Sequence, residues 1–238
     1  ERLEANIIEF DRDHKLVKAQ GNVRSIYYGS KTSPKAWSNS VYASAELMEF
    51  QTQTGIGHYW RNAKLWQEDH ALYAESIFLD RFSRKLIASG EVTSLFHSSF
   101  GEEGKTSTMV KAKRMTYEEE PQKVLYEDGV RTTTSQGSLQ CDRLQIFLKR
   151  QQGEISVRRI LAEGHVRMTQ PNRSSFSQMA EYLGLEKKVM LWGGLPQIVD
   201  YKRGSTTGAR LTININDDSV SVEGNPEKQA VSKQRLSR

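Results

Sequence analysis

Cysteine is almost missing from this chain. Cys141 stands alone among 238 residues, so no disulfide forms within the chain, and the redox compartment is left open. Long apolar runs are missing too. No stretch reaches the roughly 18 residues that a membrane-crossing helix needs. The hydrophobic fraction is only 37%, which suits a sheet with one wet face better than a core buried on both sides. Catalytic signatures are also absent: there is no GxSxG elbow, HExxH pair, GxxxxGK[ST] phosphate loop or GxGxxG turn. The histidines, His14, His58, His70, His97 and His165, fall at no metal-ligand spacing. Glu118, Glu119 and Glu120 cluster, but they precede Pro121 at an expected hairpin tip, where solvated charge is the ordinary reading. No catalysis, metal or cofactor is therefore expected. A net charge of +5 fits an anionic partner such as lipid phosphate, and simple solubility explains it equally well. Nucleic acid is not expected, because the basic residues show no clustering with aromatics along the sequence.

What the chain does have is a repeat. A small residue is followed by apolar residues three and five positions later. Sixteen residues after the small one stands a glycine or a polar substitute. The pairs are Ala5–Gly21, Ala45–Arg61, Ala74–Gly90, Ala112–Asp128, Ser177–Gly193 and Gly208–Gly224; a seventh, Cys141–Gly164, is stretched to twenty-three. Apolar residues also stand four and two before the glycine and two after it, as in Leu86, Ala88 and Val92 around Gly90. Period-two alternation (MVKAKRMTY, KLIASGEV, ARLTININ) predicts strands with one buried and one wet face. Polar stretches at 11–14, 51–55, 80–84, 118–122, 184–188 and 216–219 predict hairpin turns, with a longer one at 149–154. Two long Ser/Gly/Lys/Thr-rich segments, 29–41 and 97–108, read as mobile loops, because the pattern resumes in phase after each. The irregular spacing of the copies argues against a closed propeller or regular solenoid. It predicts repeated antiparallel hairpins in a rolled, all-β sheet of about 14–16 strands. The glycines read as bulges where the strands roll.

This pattern of small-x-x-Leu/Met-x-Tyr/Phe, a short turn, then apolar-x-Ala-x-Gly-x-Val resembles the OstA-like lipopolysaccharide transport family, which includes LptA, LptC and the LptD N-terminal domain. The resemblance rests on Ala5-Ile8-Phe10 with Ala19-Gly21-Val23, on Ala74-Ile77-Leu79 with Ala88-Gly90-Val92, on Ala112-Met115-Tyr117, and on the late segments 174–194 and 207–224. It spans roughly residues 3 to 226. Arg61 at a glycine position, Gly57 at an aliphatic one and Cys141 at a small one depart from the pattern and put local strand geometry in question. The resemblance implies an elongated, twisted, open β-jelly roll with a greasy inner groove. It implies a periplasmic place in the Gram-negative envelope and a role in outer membrane assembly. Its implied partners are lipopolysaccharide and sister proteins of the same fold paired end to end, with a homo-oligomer as one form. Residues 1–226 are expected to make one such domain, and 227–238 a polar basic tail, frayed from the fold. ERLEANIIEF already belongs to the first repeat, so any signal peptide or anchor would precede Glu1.

The residues expected on the inner, lipid-binding face follow from the pattern. They are Ile8, Phe10, Val17, Val23, Met48, Phe50, Tyr59, Ala63, Ile77, Leu79, Leu86 and Val92 in the first three copies. In the later copies they are Met115, Tyr117, Val124, Val130, Leu144, Ile146, Ile160, Val166, Tyr182 and Leu191. Met48, Met115 and Met168 suit variable chains, and Ala19, Ala63, Ala88 and Ala162 leave room. Met179 falls at an outward phase. Against this stands the plain reading that such residues fill a sandwich core. Lys111, Lys113, Arg114, Arg131, Arg143, Arg158, Arg159 and Arg167 either meet lipid phosphates or solvate the outer face of the sheet, and the second is the ordinary reading. Trp60, Trp66 and Trp192 likewise read as rim packing before sugar stacking. Two rivals to a carrier remain. A polysaccharide-active β-helix would need clustered carboxylates on one strand row, and the acids here fall mostly in turns. A structural or adhesive β-domain would have a full core and no lipid affinity.

Overall fold

The computed structural model describes residues 2–28, 40–98, 106–151, 154–226 and 229–234. Nearly all of them lie in strands, and every pairing is antiparallel. The strands are β1 (Arg2–Glu4), β2 (Ile7–Asp11), β3 (Leu16–Tyr27), β4 (Val41–Gln51), β5 (Ile56–Gln67), β6 (His70–Asp80), β7 (Lys85–Ser98), β8 (Thr106–Glu118) and β9 (Lys123–Thr134). They continue as β10 (Gly137–Gln151), β11 (Glu154–Thr169), β12 (Arg173–Leu183), β13 (Lys188–Trp192), β14 (Gln197–Asp200), β15 (Gly204–Thr207), β16 (Arg210–Asn214), β17 (Val220–Glu223) and β18 (Val231–Gln234).

Eighteen strands exceed the expected fourteen to sixteen for a local reason. β1 and β2 both pair with β3, and β13 and β14 both pair with β12. β16 and β15 pair with β13 and β14, and β17 and β18 pair with β16 and β15. Each of these is one pass of the chain interrupted halfway, so the sheet is a meander of fourteen passes. At about 4.8 Å per strand it spans roughly 60 Å. It does not close: β1 and β2 form one edge, β17 and β18 the other. The expected frayed tail thus contains β18, which is paired with β15.

Every long pass bends at its middle. On alternate passes two successive residues at the bend take a left-handed conformation: Gly21–Asn22, Arg61–Asn62, Gly90–Glu91, Asp128–Gly129, Gly164–His165 and Gly193–Gly194. The register shifts at the same places, for example between Ser89 and Val92 against β8. The glycine has a second reason. A Cβ on Gly90 would fall 2.7 Å from Cβ of Glu75, and one on Gly164 only 2.1 Å from a carboxylate oxygen of Asp142. At Gly21, Gly90, Gly164 and Gly193 the residue after the repeat's small residue (Asn6, Glu75, Asp142 and Gln178) leans over the bend and occupies the space a side chain would take. Arg61 keeps the bend without glycine, at φ 61°, and Asp128, at φ 67°, takes the first place of its bend with Gly129 in the second. The departure at Arg61 therefore leaves the bend intact.

The bend divides the sheet into two leaves. The first leaf ends in the turns at 12–15, 52–55, 81–84, 119–122, 184–187 and 215–219, close to where they are expected. The exception is 149–154, where β10 runs to Gln151 and β11 starts at Glu154 with Gln151 opposite Glu154. The extra residues there extend the strands rather than a loop. The second leaf ends in connections at 68–69, 135–136, 170–172 and 201–203. The expected mobile loops lie largely at 29–39 and 99–105, outside the described residues, but β4 and β7–β8 take their flanks. Aspartates start several turns: Asp11 accepts hydrogen bonds from the N–H groups of Asp13 and His14, Asp80 from Phe82 and Ser83, and Asp200 from Lys202 and Arg203. These donors hold the three carboxyls below the usual carboxylate range, led by His14, Ser83 and Arg203 respectively.

The bend predicts that Gly90→Ala lowers unfolding stability by about 2 kcal/mol in urea titration, combining left-handed strain with the Glu75 clash. Adding Glu75→Gly should recover the steric part alone; full recovery would mean the left-handed backbone costs nothing.

Candidate functional site

The two leaves face each other across the bend, and their inner faces carry continuous rows. In the first leaf the row nearest the bend runs Ile8, Ala19, Met48, Tyr59, Ile77, Ala88, Met115, Tyr126, Leu144, Ala162, Ala180, Leu191, Leu211 and Val222, each opposite the next in register. The next row, at the mouth, runs Phe10, Val17, Phe50, Gly57, Leu79, Leu86, Tyr117, Val124, Ile146, Ile160, Tyr182, Val189, Ile213 and Val220. The second leaf adds Val23, Ala63, Val92, Val130 and Val166 beside the bend. All twenty-two residues expected on the inner face fall in these three rows.

Their burial differs with depth. Val23, Met48, Tyr59, Ala63, Ile77, Val92, Val130, Leu144, Val166 and Leu191 are fully buried, as are the mouth residues Leu79, Leu86 and Ile146. Val17, Phe50, Met115, Tyr117, Val124, Ile160 and Tyr182 are half-buried. Ile8 and Phe10, on the edge strand β2, are 49% and 54% exposed. Ala19, Ala63, Ala88 and Ala162 do not leave room: each is 4% exposed or less, so facing side chains fill the space above them. The centre of the trough is packed, in two clusters that meet at Met115.

One wall was not legible. A fourth inner row, in the second leaf, runs through Leu3, Ser25, Ala43, Leu65, Leu72, Ser94, Val110, Thr132, Leu139, Met168, Ser175 and Ile198. Carrying the alternation one step further, to four residues past the glycine, would have found it at Ser25, Leu65 and Ser94. Its Ser25 hydroxyl meets a tyrosine reaching over from the first leaf. The Tyr59 hydroxyl lies 2.7 Å from Ser25 Oγ and bonds the Tyr27 hydroxyl as well. Tyr126 similarly faces Ser94, and burial pushes its phenol up to about 12 despite that hydroxyl. The Cys141 thiol is also pushed up to about 12, chiefly by burial and further by the negative charge of Asp142.

The lips carry charge. Arg81, in a first-leaf turn, lies 5.2 Å from the ring centre of Tyr27 on the second leaf and 6.0 Å from that of Phe50 on the first. A cavity of about 410 Å³ opens there, lined by Phe50, Thr52, Gly55, Arg81 and Phe82. Toward the other edge Arg173 bonds Asp218 across the mouth at 2.5 Å. Glu119 corrects the expectation of a solvated acidic tip: it is buried and lies 3.7 Å from Arg84. Among the described residues no group of three or more His, Cys, Asp or Glu is arranged to hold a metal. The aromatics expected at the rim lie on the outer faces, Trp60 stacked on His58 at 4.6 Å and Trp66 on Tyr42 at 5.4 Å.

Tyr126 and Cys141 are both held neutral. Their contribution to stability is complete below the pH at which phenol and thiol ionise in the unfolded chain, and is lost as pH rises from about 9 toward 12. Stability in urea should therefore fall over that window. Iodoacetamide at pH 8 should leave Cys141 unmodified until the protein is unfolded; prompt labelling of the native chain would show that the trough is not closed over it.

No family model matches the chain, and no curated protein does. Among solved structures, the crystal structure of LptH aligns with it. LptH is the LptA-homologous periplasmic component of the lipopolysaccharide transport device of Pseudomonas aeruginosa. The alignment covers 55% of this chain and 95% of that one, at 12% identity and a TM-score of 0.44.

Proposed function

We propose that the chain is a non-enzymatic lipid carrier. The observation that carries this reading is the pair of first-leaf rows, apolar apart from two tyrosine hydroxyls in each and a glycine, running through fourteen passes from one open sheet edge to the other. A core needs only enough apolar surface to close on itself. An apolar path reaching both ends, with a mouth half-buried at intervals along its length, is what an acyl chain in transit requires. Exposing a chain of about twelve carbons to water costs roughly 10 kcal/mol, so a trough that covers it removes the barrier without chemistry. Lipopolysaccharide as the cargo, and the periplasm as the place, rest on the resemblance of the seven repeats. On this reading the twenty-two inner residues hold acyl chains and the saccharide stays in water. Because the deep rows are packed, chains enter at Val17, Phe50, Tyr117, Val124, Ile160 and Tyr182 and displace side-chain contacts from there inward.

The edges supply the partner. β2 presents unpaired backbone with Ile7, Ile8 and Phe10 about half exposed, and β17 and β18 present Val220 and Val231 at 38% and 43%. Exposed strand edges of this kind pair with further strands, here a sister protein or a second copy placed end to end. The wild-type chain should then form concentration-dependent oligomers in light scattering and Ile8→Lys should abolish them; a wild-type chain that stays monomeric at all concentrations would remove the end-to-end arrangement.

The packed centre favours a second reading, a structural β-domain with a full core. Photo-crosslinking decides between them. A photoreactive residue at Met115 should form adducts with lipopolysaccharide, and one at exposed Lys113 should not. Adducts at neither, with the variants folded, would leave the structural domain.

A further inference from the structure

The outer faces of the two leaves differ in charge. On the first leaf cations and carboxylates are interspersed: Arg114, Glu127, Arg143 and Glu163 stand opposite one another in register, and Arg143 lies within 3.5 Å of both glutamates. On the second leaf one row contains Arg24, Lys64, Lys111, Arg131 and Arg167, separated only by Ser44, Tyr73, Thr93 and Gln140. Five cations thus span nine passes with no carboxylate among them, and none of the five forms an ion pair with a described residue. At the edge Glu4 stands opposite Arg24 and is engaged by Arg2, and on the bend Glu46, Asp128 and Asp142 are engaged by Asn62, Arg114 and His165.

The neighbouring outer row is uncharged from β3 to β12 and carries Tyr42, Trp66, Leu95 and Met109. Tyr42 is 36% and Met109 38% exposed. Cations beside exposed apolar and aromatic side chains on one sheet face match the interface of a bilayer, where the charges meet headgroup phosphates and the apolar groups enter just below them. The aromatics are poorly placed to stack on bases. Trp66 has Tyr42 on its ring and Lys64 4.7 Å from its centre, and Arg167 covers Phe176 at 5.4 Å.

We propose that the outer face of the second leaf docks on a bilayer rich in anionic phospholipid, through the row of Arg24, Lys64, Lys111, Arg131 and Arg167. This surface is separate from the inner trough and does not depend on what the trough holds.

Co-sedimentation of the full chain with vesicles tests it. Binding is expected to vesicles with about one third phosphatidylglycerol in phosphatidylcholine, to be weak on phosphatidylcholine alone, and to fall as salt rises from about 0.1 to 0.5 M. Lys111→Gln/Arg131→Gln/Arg167→Gln should weaken partitioning roughly 100-fold. Arg114→Gln/Lys123→Gln/Arg143→Gln removes the same charge from the first leaf and should change it by less than about threefold. Met109→Asp, which removes no cation, should also weaken binding at least about tenfold. Equal loss in the two triple variants would overturn the proposal in favour of net charge alone. Failure of the wild type to bind anionic vesicles, or its displacement from them by a DNA oligonucleotide at matched phosphate, would overturn it outright.

Discussion

The bend on which the sheet folds is a steric arrangement between neighbouring passes. A small residue on one strand lets the next strand approach, and the polar residue after it leans over two left-handed residues, usually led by glycine. On the glycine strand, inward residues flank the bend four apart, as with Tyr59 and Ala63. On the facing strand they stand three apart, as with Ala45 and Met48. The extra residue is absorbed in the bulge, and both leaves keep their apolar side facing inward. Without it, strict alternation would turn one leaf inside out, since a one-residue slip exchanges the faces of a strand. The inner rows, the outer charge pattern and the hairpin positions all follow from this unit.

That dependence explains what could be read in advance. The first-leaf rows and the residues beside the bend lie within the repeat, so their facing was legible at every copy, Arg61 and Asp128 included. The second-leaf wall at Ser25, Ser94 and Thr132 was not, because it mixes hydroxyls with aliphatics and so breaks the apolar signal. Glu119 was misread because turn residues are usually wet, and nothing in the local sequence placed Arg84 beside it. The packing of the centre was illegible for another reason: alternation tells which way a residue points, never how far away the opposite wall stands.

The charge asymmetry is likewise a product of register. Along the chain, Lys111, Arg131 and Arg167 are scattered among other charges and look like ordinary solvation. Sheet pairing places them on one line, while it places Arg114 and Arg143 among glutamates. The same residue types thus have opposite electrostatic settings on the two leaves, because successive strands contribute in antiparallel order.

A packed trough and a carrier are energetically compatible. Pulling the leaves apart into water would expose the deep rows at roughly 25 cal/mol for each Å². An acyl chain entering from the mouth replaces one apolar contact by another, so little of that apolar cost arises. What must be given up are the polar bridges between leaves, such as Tyr59 to Ser25 and Arg173 to Asp218, each a modest net contribution of about 1 kcal/mol or somewhat more where charge is involved. They sit at intervals along the path rather than continuously. Passage of a chain would then break them one at a time, and the full separation of the leaves would never be required.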